Sequence, residues 1–287
     1  MRIPRQIYFC GVSGALAGLL AWLLIGWTSA ARWQNLWLSS AFVGAGTGGL
    51  IAVALAFTRG RVEQWGYRRL WPTALASLGF GSVAGAAGLL IGQAVFLWIG
   101  GEWLGRGLGW VMLSLLIGLG QSAGDASIRR CLVGGIGGLA AGLFSGLVYE
   151  GLTQVFLSHS GTAQVWASSI GLMTVGAFLA SGVPLAETLA ARGVLVVLSG
   201  QRHGAEYPIL DRLLVGASES CRVLIPDDPD VEPEQLTLQV FSGGIRIANV
   251  GHSRTVLVNG GNLRPGDMAS CPSGTMIRAG ITELRVL

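Results

Sequence analysis

The sequence predicts a multi-domain membrane protein, an all-α six-helix transmembrane bundle built from three hairpin repeats and followed by an all-β sandwich. Three observations predict it. The 287 residues are 51% hydrophobic and only 12% charged, with a mean hydropathy of +0.59, too apolar for an ordinary soluble chain. Up to about residue 190 the apolar residues come in long unbroken runs, the pattern of helices that satisfy their own backbone hydrogen bonds in lipid. After Ala191 the pattern changes to short β-rich runs between Gly, Pro and Asp turns.

The six runs extend from Ile7 to Trp27, Leu36 to Phe57, Thr73 to Gly100, Leu108 to Gly124, Leu132 to Leu157 and Val165 to Ala186. Arg2 and Arg5 precede the first run, which is too long for a signal-peptide core and reads as an uncleaved span. Arg2, Arg5, Arg59, Arg61, Arg68, Arg69, Arg129, Arg130 and Arg192 fall on one side, and Arg32 and Arg106 on the other. The excess of positive charge marks the cytoplasmic side and places both termini there. All ten Trp residues lie in this part, most near run ends where an indole suits the headgroup region.

The odd-numbered runs share the pattern G-x-x-[GA]-x-x-x-G-L-[LF], beginning at Gly11, Gly81 and Gly135. The even-numbered runs share a shorter one around Gly44, Gly118 and Gly176. One hairpin used three times explains both. Small residues three and four apart let helix backbones approach closely. Gly11, Gly14, Gly18, Gly81, Gly88, Gly135, Gly138 and Gly142 are therefore expected at helix contacts, a glycine zipper that could also serve a homo-oligomer. Few charges interrupt the runs. Asp125 is placed to pair with Arg129, and Glu187 with Arg192, at helix ends. Glu150 is the deeper acid, and Pro184 is expected to break the sixth run.

The two parts differ in charge. Up to residue 190 there are ten Arg and five acids; beyond it there are nine Arg and ten acids. The formal +4 thus comes from membrane-flanking loops, and no nucleic-acid partner is implied. Cys10, Cys131, Cys221 and Cys271 lack zinc-ligand spacing, and no metal or cofactor is expected. His159, His203 and His252 sit in loops or turns, and no nucleophile elbow, phosphate-binding loop or H-E-x-x-H occurs. The chain reads as a non-enzyme.

In the tail (191–287), strands are expected in GVLVVLSG, DRLLVGAS, CRVLIP, QLTLQVFSGG, IRIANV, TVLVNG, GTMIRAG and TELRVL, a number and spacing that suit a sandwich. Asn259-Gly260 after an alternating run is a hairpin signal. Val215-Gly216, Val258-Asn259-Gly260 and Leu263-Arg264-Pro265-Gly266-Asp267, in that order, resemble the motifs of the forkhead-associated (FHA) family. The resemblance implies an FHA-like sandwich that binds protein partners. It also implies a phosphothreonine site, but here the family's Arg position reads Ala217, its Ser reads Glu232, its His reads Gln235 and its loop Asn reads Arg254.

A phosphate needs charge-assisted donors, yet residues 227–234 hold five acids in eight positions. The expected surface is a set of loops carrying Glu219, Asp227, Asp228, Asp230, Glu232, Glu234, Arg254 and Asn259, facing a cytoplasmic, basic protein partner without phosphothreonine dependence. This makes the chain a scaffold or adaptor anchored in the lipid bilayer, of the kind met in bacterial inner-membrane assembly and kinase signalling. Two alternatives stay open: a small channel or transporter with a regulatory β-domain, and a phosphothreonine-reading signalling adaptor that uses substituted contacts such as Arg254.

Overall fold

In the computed structural model, the described residues are 3–28, 34–62, 66–99, 103–123, 127–156, 161–226 and 228–287. Arg2, Arg32, Asp125, His159 and Asp227 lie outside them. The chain divides into two compact units, Pro4–Ala186 and Glu187–Leu287, each described by itself.

The first unit comprises α1 (Ile3–Thr28), α2 (Leu36–Val62), α3 (Tyr67–Ile99), α4 (Trp103–Ala123), α5 (Ile128–Phe156) and α6 (Gly161–Ala190). Among the described residues, five of the six are long and apolar enough to cross a bilayer, whereas the apolar stretch of α4 is the shorter Gly107–Gly120. Local chemistry fixes some ends: the Asn35 side chain accepts from the Trp37 and Leu38 N–H groups at the start of α2, and Ser127 Oγ accepts from Arg130 N–H at the start of α5. Pro184 does not break α6, which continues to Ala190. A proline costs a helix one backbone bond, and packing restores such losses in apolar bundles. Large apolar side chains stay exposed along the outside, Leu16 and Leu20 on α1, Phe80 and Val83 on α3, Leu143 and Leu147 on α5. That surface suits lipid rather than water.

The glycines mark where the helices meet. A Cβ built on Gly14 would collide with the Gly176 carbonyl and Ala180, and one on Gly18 with the Leu172 carbonyl, so α1 lies backbone to backbone with α6. Gly44 and Gly48 of α2 meet Gly85 and Gly81 of α3 in the same way. Gly118 of α4 meets Gly134 and Gly138 of α5, and Gly142 meets Val111. Gly88 joins α3 to α4 at Leu113, while Gly135 faces the end of the Leu119 side chain. Gly11 also faces α6, where an added Cβ would meet Ser181 at 3.7 Å and the Ala177 carbonyl at 3.8 Å, an ordinary contact and not a collision. Trp22 Nε1 donates to Ser168 Oγ (3.2 Å), a second tie between α1 and α6.

The second unit is a sandwich of eleven strands: β1 (Val194–Val197), β2 (Glu206–Pro208), β3 (Arg212–Gly216), β4 (Val223–Leu224), β5 (Leu236–Phe241), β6 (Gly244–Asn249), β7 (Val256–Val258), β8 (Gly261–Leu263), β9 (Met268–Ser270), β10 (Met276–Ala279) and β11 (Thr282–Val286). One sheet has the order β2-β1-β11-β10-β7-β8 and the other β4-β3-β5-β6-β9. All pairs are antiparallel except β3 with β4. Leu195, Val197, Ile277, Leu284 and Val286 from the first sheet pack with Leu213, Val215, Leu236, Leu238 and Ile247 from the second. Every strand expected from the sequence is present. The additional strands β2, β8 and β9 are three residues each, too short for periodicity to declare them. Pro208 ends β2 on a sheet edge, where its missing N–H costs nothing.

Candidate functional site

The register of the strands carries the β1–β2, β3–β4, β4–β5, β6–β7 and β10–β11 connections to one pole of the sandwich. The β4–β5 loop organises that pole. Its backbone carbonyls at Glu232 and Pro233 accept from Ala217 and Ser218 of the β3–β4 loop (2.9 and 3.0 Å), and Gln235 O accepts from Val250 and Gly251 of the β6–β7 loop (3.0 and 3.1 Å). Gly216 must be glycine for this arrangement, since a Cβ there would run into the Pro233 carbonyl.

The structure divides the acidic run. Asp228 is 3% exposed and turned inward. Its Oδ2 accepts from the N–H of Ile281 (2.8 Å) and from the N–H and O–H of Thr282 (3.0 and 2.9 Å), and its Oδ1 accepts from Asp230 N–H (3.1 Å). This carboxylate ties the β4–β5 loop to the β10–β11 turn and presents no charge to a partner. Gly280 in that turn has φ +60°, and a Cβ there would lie 2.5 Å from Asp228 Oδ1. Beside Asp228 is a mainly apolar cavity of about 300 Å³, lined by Val197, Leu224, Ile225 and Ile281 among others.

Glu232 is held more tightly than a loop acid needs to be. Its carboxylate accepts from three successive backbone N–H groups, those of His252 (2.5 Å), Ser253 (2.7 Å) and Arg254 (2.8 Å), and from Ser253 Oγ (2.8 Å). Consecutive N–H groups converging in this way form an anion nest. The His252 N–H contributes most to holding the Glu232 carboxyl down to about 2, helped by Ser253 and Arg254 and opposed by burial. The backbone of Glu232 is fixed as well, its N–H donating to Gln235 Oε1 (3.0 Å).

Gln235 and Asn249 lie behind the nest, each 1% exposed. Gln235 Nε2 donates to Asn249 Oδ1 (3.1 Å) and to the Arg254 carbonyl (3.2 Å). Asn249 Nδ2 donates to the carbonyls of Arg254 (2.8 Å) and Leu263 (2.9 Å). Both amides shape the β6–β7 loop from within. Asn249 does not stand out in the sequence, where its position at a strand end before Val250-Gly251 gives no signal for it.

The remaining predicted residues are distributed as follows. Glu219, Asp230 and Glu234 are exposed on the loops. Arg254 forms an ion pair with Asp230 (3.0 Å), both about half exposed. Arg222 lies 3.7 Å from Glu187, which stands in the last residues of α6, the part of that helix that belongs to the second unit. Asn259 is structural: with φ 49° it makes the β7–β8 turn with Gly260, and its Oδ1 accepts from Met276 N–H (2.8 Å). Among the described residues no group of three or more His, Cys, Asp or Glu is arranged to hold a metal.

No known family model matches the chain, and no curated protein does. Solved structures do, over about a third of its length. One is the FhaA FHA domain complexed with the intracellular domain of Rv3910, at 19% identity over 33% of this chain and 99% of that one, TM-score 0.30. Another is the MEK1 FHA domain with a HOP1 phosphothreonine peptide, at 16% identity over 34% of this chain and 96% of that one, TM-score 0.29. A third is the cytoplasmic domain of the T3SS sorting platform protein PscD from P. aeruginosa, at 16% identity over 33% of this chain and 78% of that one, TM-score 0.29. The FHA-domain matches lie over the C-terminal third, which follows in sequence a helical unit with five helices apolar and long enough to cross a membrane.

Proposed function

We propose that the chain is a membrane-anchored protein-interaction scaffold, of the bacterial inner-membrane kind, whose FHA-like loops bind a partner without phosphothreonine. The observation that supports this most is the Glu232 carboxylate seated on the N–H groups of His252, Ser253 and Arg254. An incoming phosphate finds those donors engaged and a negative charge in place. Arg254, the cation that a substituted phosphate site would use, is paired with Asp230. Asp230 is spent on that pair, and the exposed Glu219 and Glu234 supply the acidic charge that favours a basic partner.

The six helices act as the anchor, with α4 the sixth span. It is 21 residues long and packed on α3 and α5 through Gly88, Gly138 and Gly142. The equivalent glycines Gly44, Gly118 and Gly176 each meet an odd-numbered helix, α3, α5 and α1 in turn, so one pairing is used three times as a glycine zipper. Both termini face the cytoplasm, and a cytoplasm-active reporter fused after Leu287 should be active.

The direct test is calorimetry of the full chain in maltoside micelles against phosphothreonine peptides and their unphosphorylated counterparts. The expected result is no preference for phosphate in any pair. A preference of tenfold or more for the phosphorylated member would overturn the reading.

A further inference from the structure

We propose that Glu232 is a resident anion: the loop pole contains a complete oxyanion-binding nest that the chain fills with its own carboxylate, and removing that carboxylate turns the pole into a phosphate site. The inference deepens the phosphate-independent reading above and rests on it.

The nest is built independently of its occupant. The N–H groups of His252, Ser253 and Arg254 come from the β6–β7 loop, 20 to 22 residues beyond Glu232 in sequence. Behind them the buried Gln235 and Asn249 side chains hold the Arg254 carbonyl from the core side. The Gly251 N–H donates to Asn249 Oδ1 (3.1 Å), which fixes the residue before the nest. Gly251 also keeps the approach open, since a Cβ there would lie 2.8 Å from Gln235 Nε2 and 3.2 Å from Glu232 Oε2. None of these supports uses the Glu232 carboxylate, so the donors keep their direction when it is absent.

The occupant has the chemistry of the ligand it replaces. Ser253 supplies both a backbone N–H and a hydroxyl to one carboxylate oxygen, a donor set that serves a tetrahedral oxyanion equally well. The Arg254 guanidinium stands by on the same loop, paired with Asp230. Glu232 also occupies the position where the FHA resemblance places the phosphate-reading Ser. A short hydroxyl there would leave space above the nest, whereas the longer carboxylate reaches into it and supplies permanently the charge that a phosphorylated ligand brings only when modified. With the nest already filled, partner binding carries no requirement for a kinase.

The probe is inorganic phosphate, followed by ³¹P NMR line width with the full chain in maltoside micelles, for the wild type and for Glu232→Ala and Glu232→Ser. Circular dichroism and amide exchange of β5 and β11 establish that each variant is folded. The expected result is no response from the wild type up to tens of millimolar phosphate and saturable broadening in both variants, at least tenfold tighter than any wild-type response. The inference is overturned when both variants are folded and neither responds, or when the wild type binds as tightly as they do. Failure of the functional reading looks different: the wild type would prefer phosphothreonine peptides, and replacing Glu232 would leave that preference unchanged while still creating the inorganic phosphate response.

Discussion

Replacing Asp228 with Ala removes the acceptor for four donors in one step. Asp230 and Ile281 are exposed residues whose bonds to Asp228 are only part-buried, so water can take over for their N–H groups. The two Thr282 donors are less accessible, since Thr282 is only 4% exposed. A buried donor left without a partner costs about 1–3 kcal/mol, which gives about 2–6 kcal/mol for the pair. The adjoining cavity of about 300 Å³ admits water, and a water can satisfy part of that demand. We therefore expect a loss of about 2–4 kcal/mol, a large share of the ~5–15 kcal/mol that holds a typical domain together. Hydrogen exchange with mass spectrometry on the full chain in detergent reads this in the peptides covering β5 and β11. Their exchange should accelerate about 30- to 700-fold, each 1.4 kcal/mol being a factor of ten. Glu219→Ala, an exposed acid of the same pole, should stay within about 0.5 kcal/mol of the wild type. A change below about 1 kcal/mol for Asp228→Ala would refute the anchoring role and return Asp228 to the partner-facing set.

Gly280→Ala should destabilise the same turn by about 1–3 kcal/mol, because the residue has φ +60° and its Cβ would press on Asp228; the same exchange assay measures it. Glu232 has a depressed carboxyl, down to about 2 from an ordinary 4.5. Its contribution is therefore complete above about pH 4.5 and is lost as the pH falls toward 2. The thermal midpoint of the β-unit should decline over that window in the wild type by more than in Glu232→Gln, as followed by calorimetry. Gly14→Ala should weaken the α1–α6 contact by about 1–3 kcal/mol, while Gly26→Ala, with open space around it, should be neutral; thermal aggregation midpoints of the two variants in detergent compare them.

Much of the fold could be read from the sequence because it is written in local periodicity. Continuous apolar runs gave the six helices, alternation gave the longer strands, and Asn259-Gly260 gave its hairpin from backbone preference alone. The glycine motifs indicated helix contacts, and Gly11 lies beside Ser181 and Ala177 of α6, although less tightly than Gly14 and Gly18. The loop pole was less legible, for a physical reason. Which way an acid points in a Pro-rich loop depends on the donors that the rest of the fold brings to it. Asp228 meets Ile281 and Thr282 across 53 and 54 residues, and Glu232 meets His252 across 20. No spacing rule links such positions, so five acids read as one exposed charge run when one was buried and another was engaged.

The pairing of Gly14 with Gly176, reinforced by Trp22 and Ser168 at a separation of 146 residues, bears on how the protein is made. Of these six helices, the earliest made is matched to the latest. While the intervening helices find partners next to them in sequence, α1 waits with its small-residue face uncovered until α6 is inserted. During that interval the same face is available to α1 of another nascent chain, and the bundle is sealed only when the final helix arrives. A truncation that removes α6 therefore leaves more than a shorter anchor. It leaves α1 without a seat, and such a fragment should be drawn into dimers or marked for degradation sooner than one that lacks only the β-sandwich.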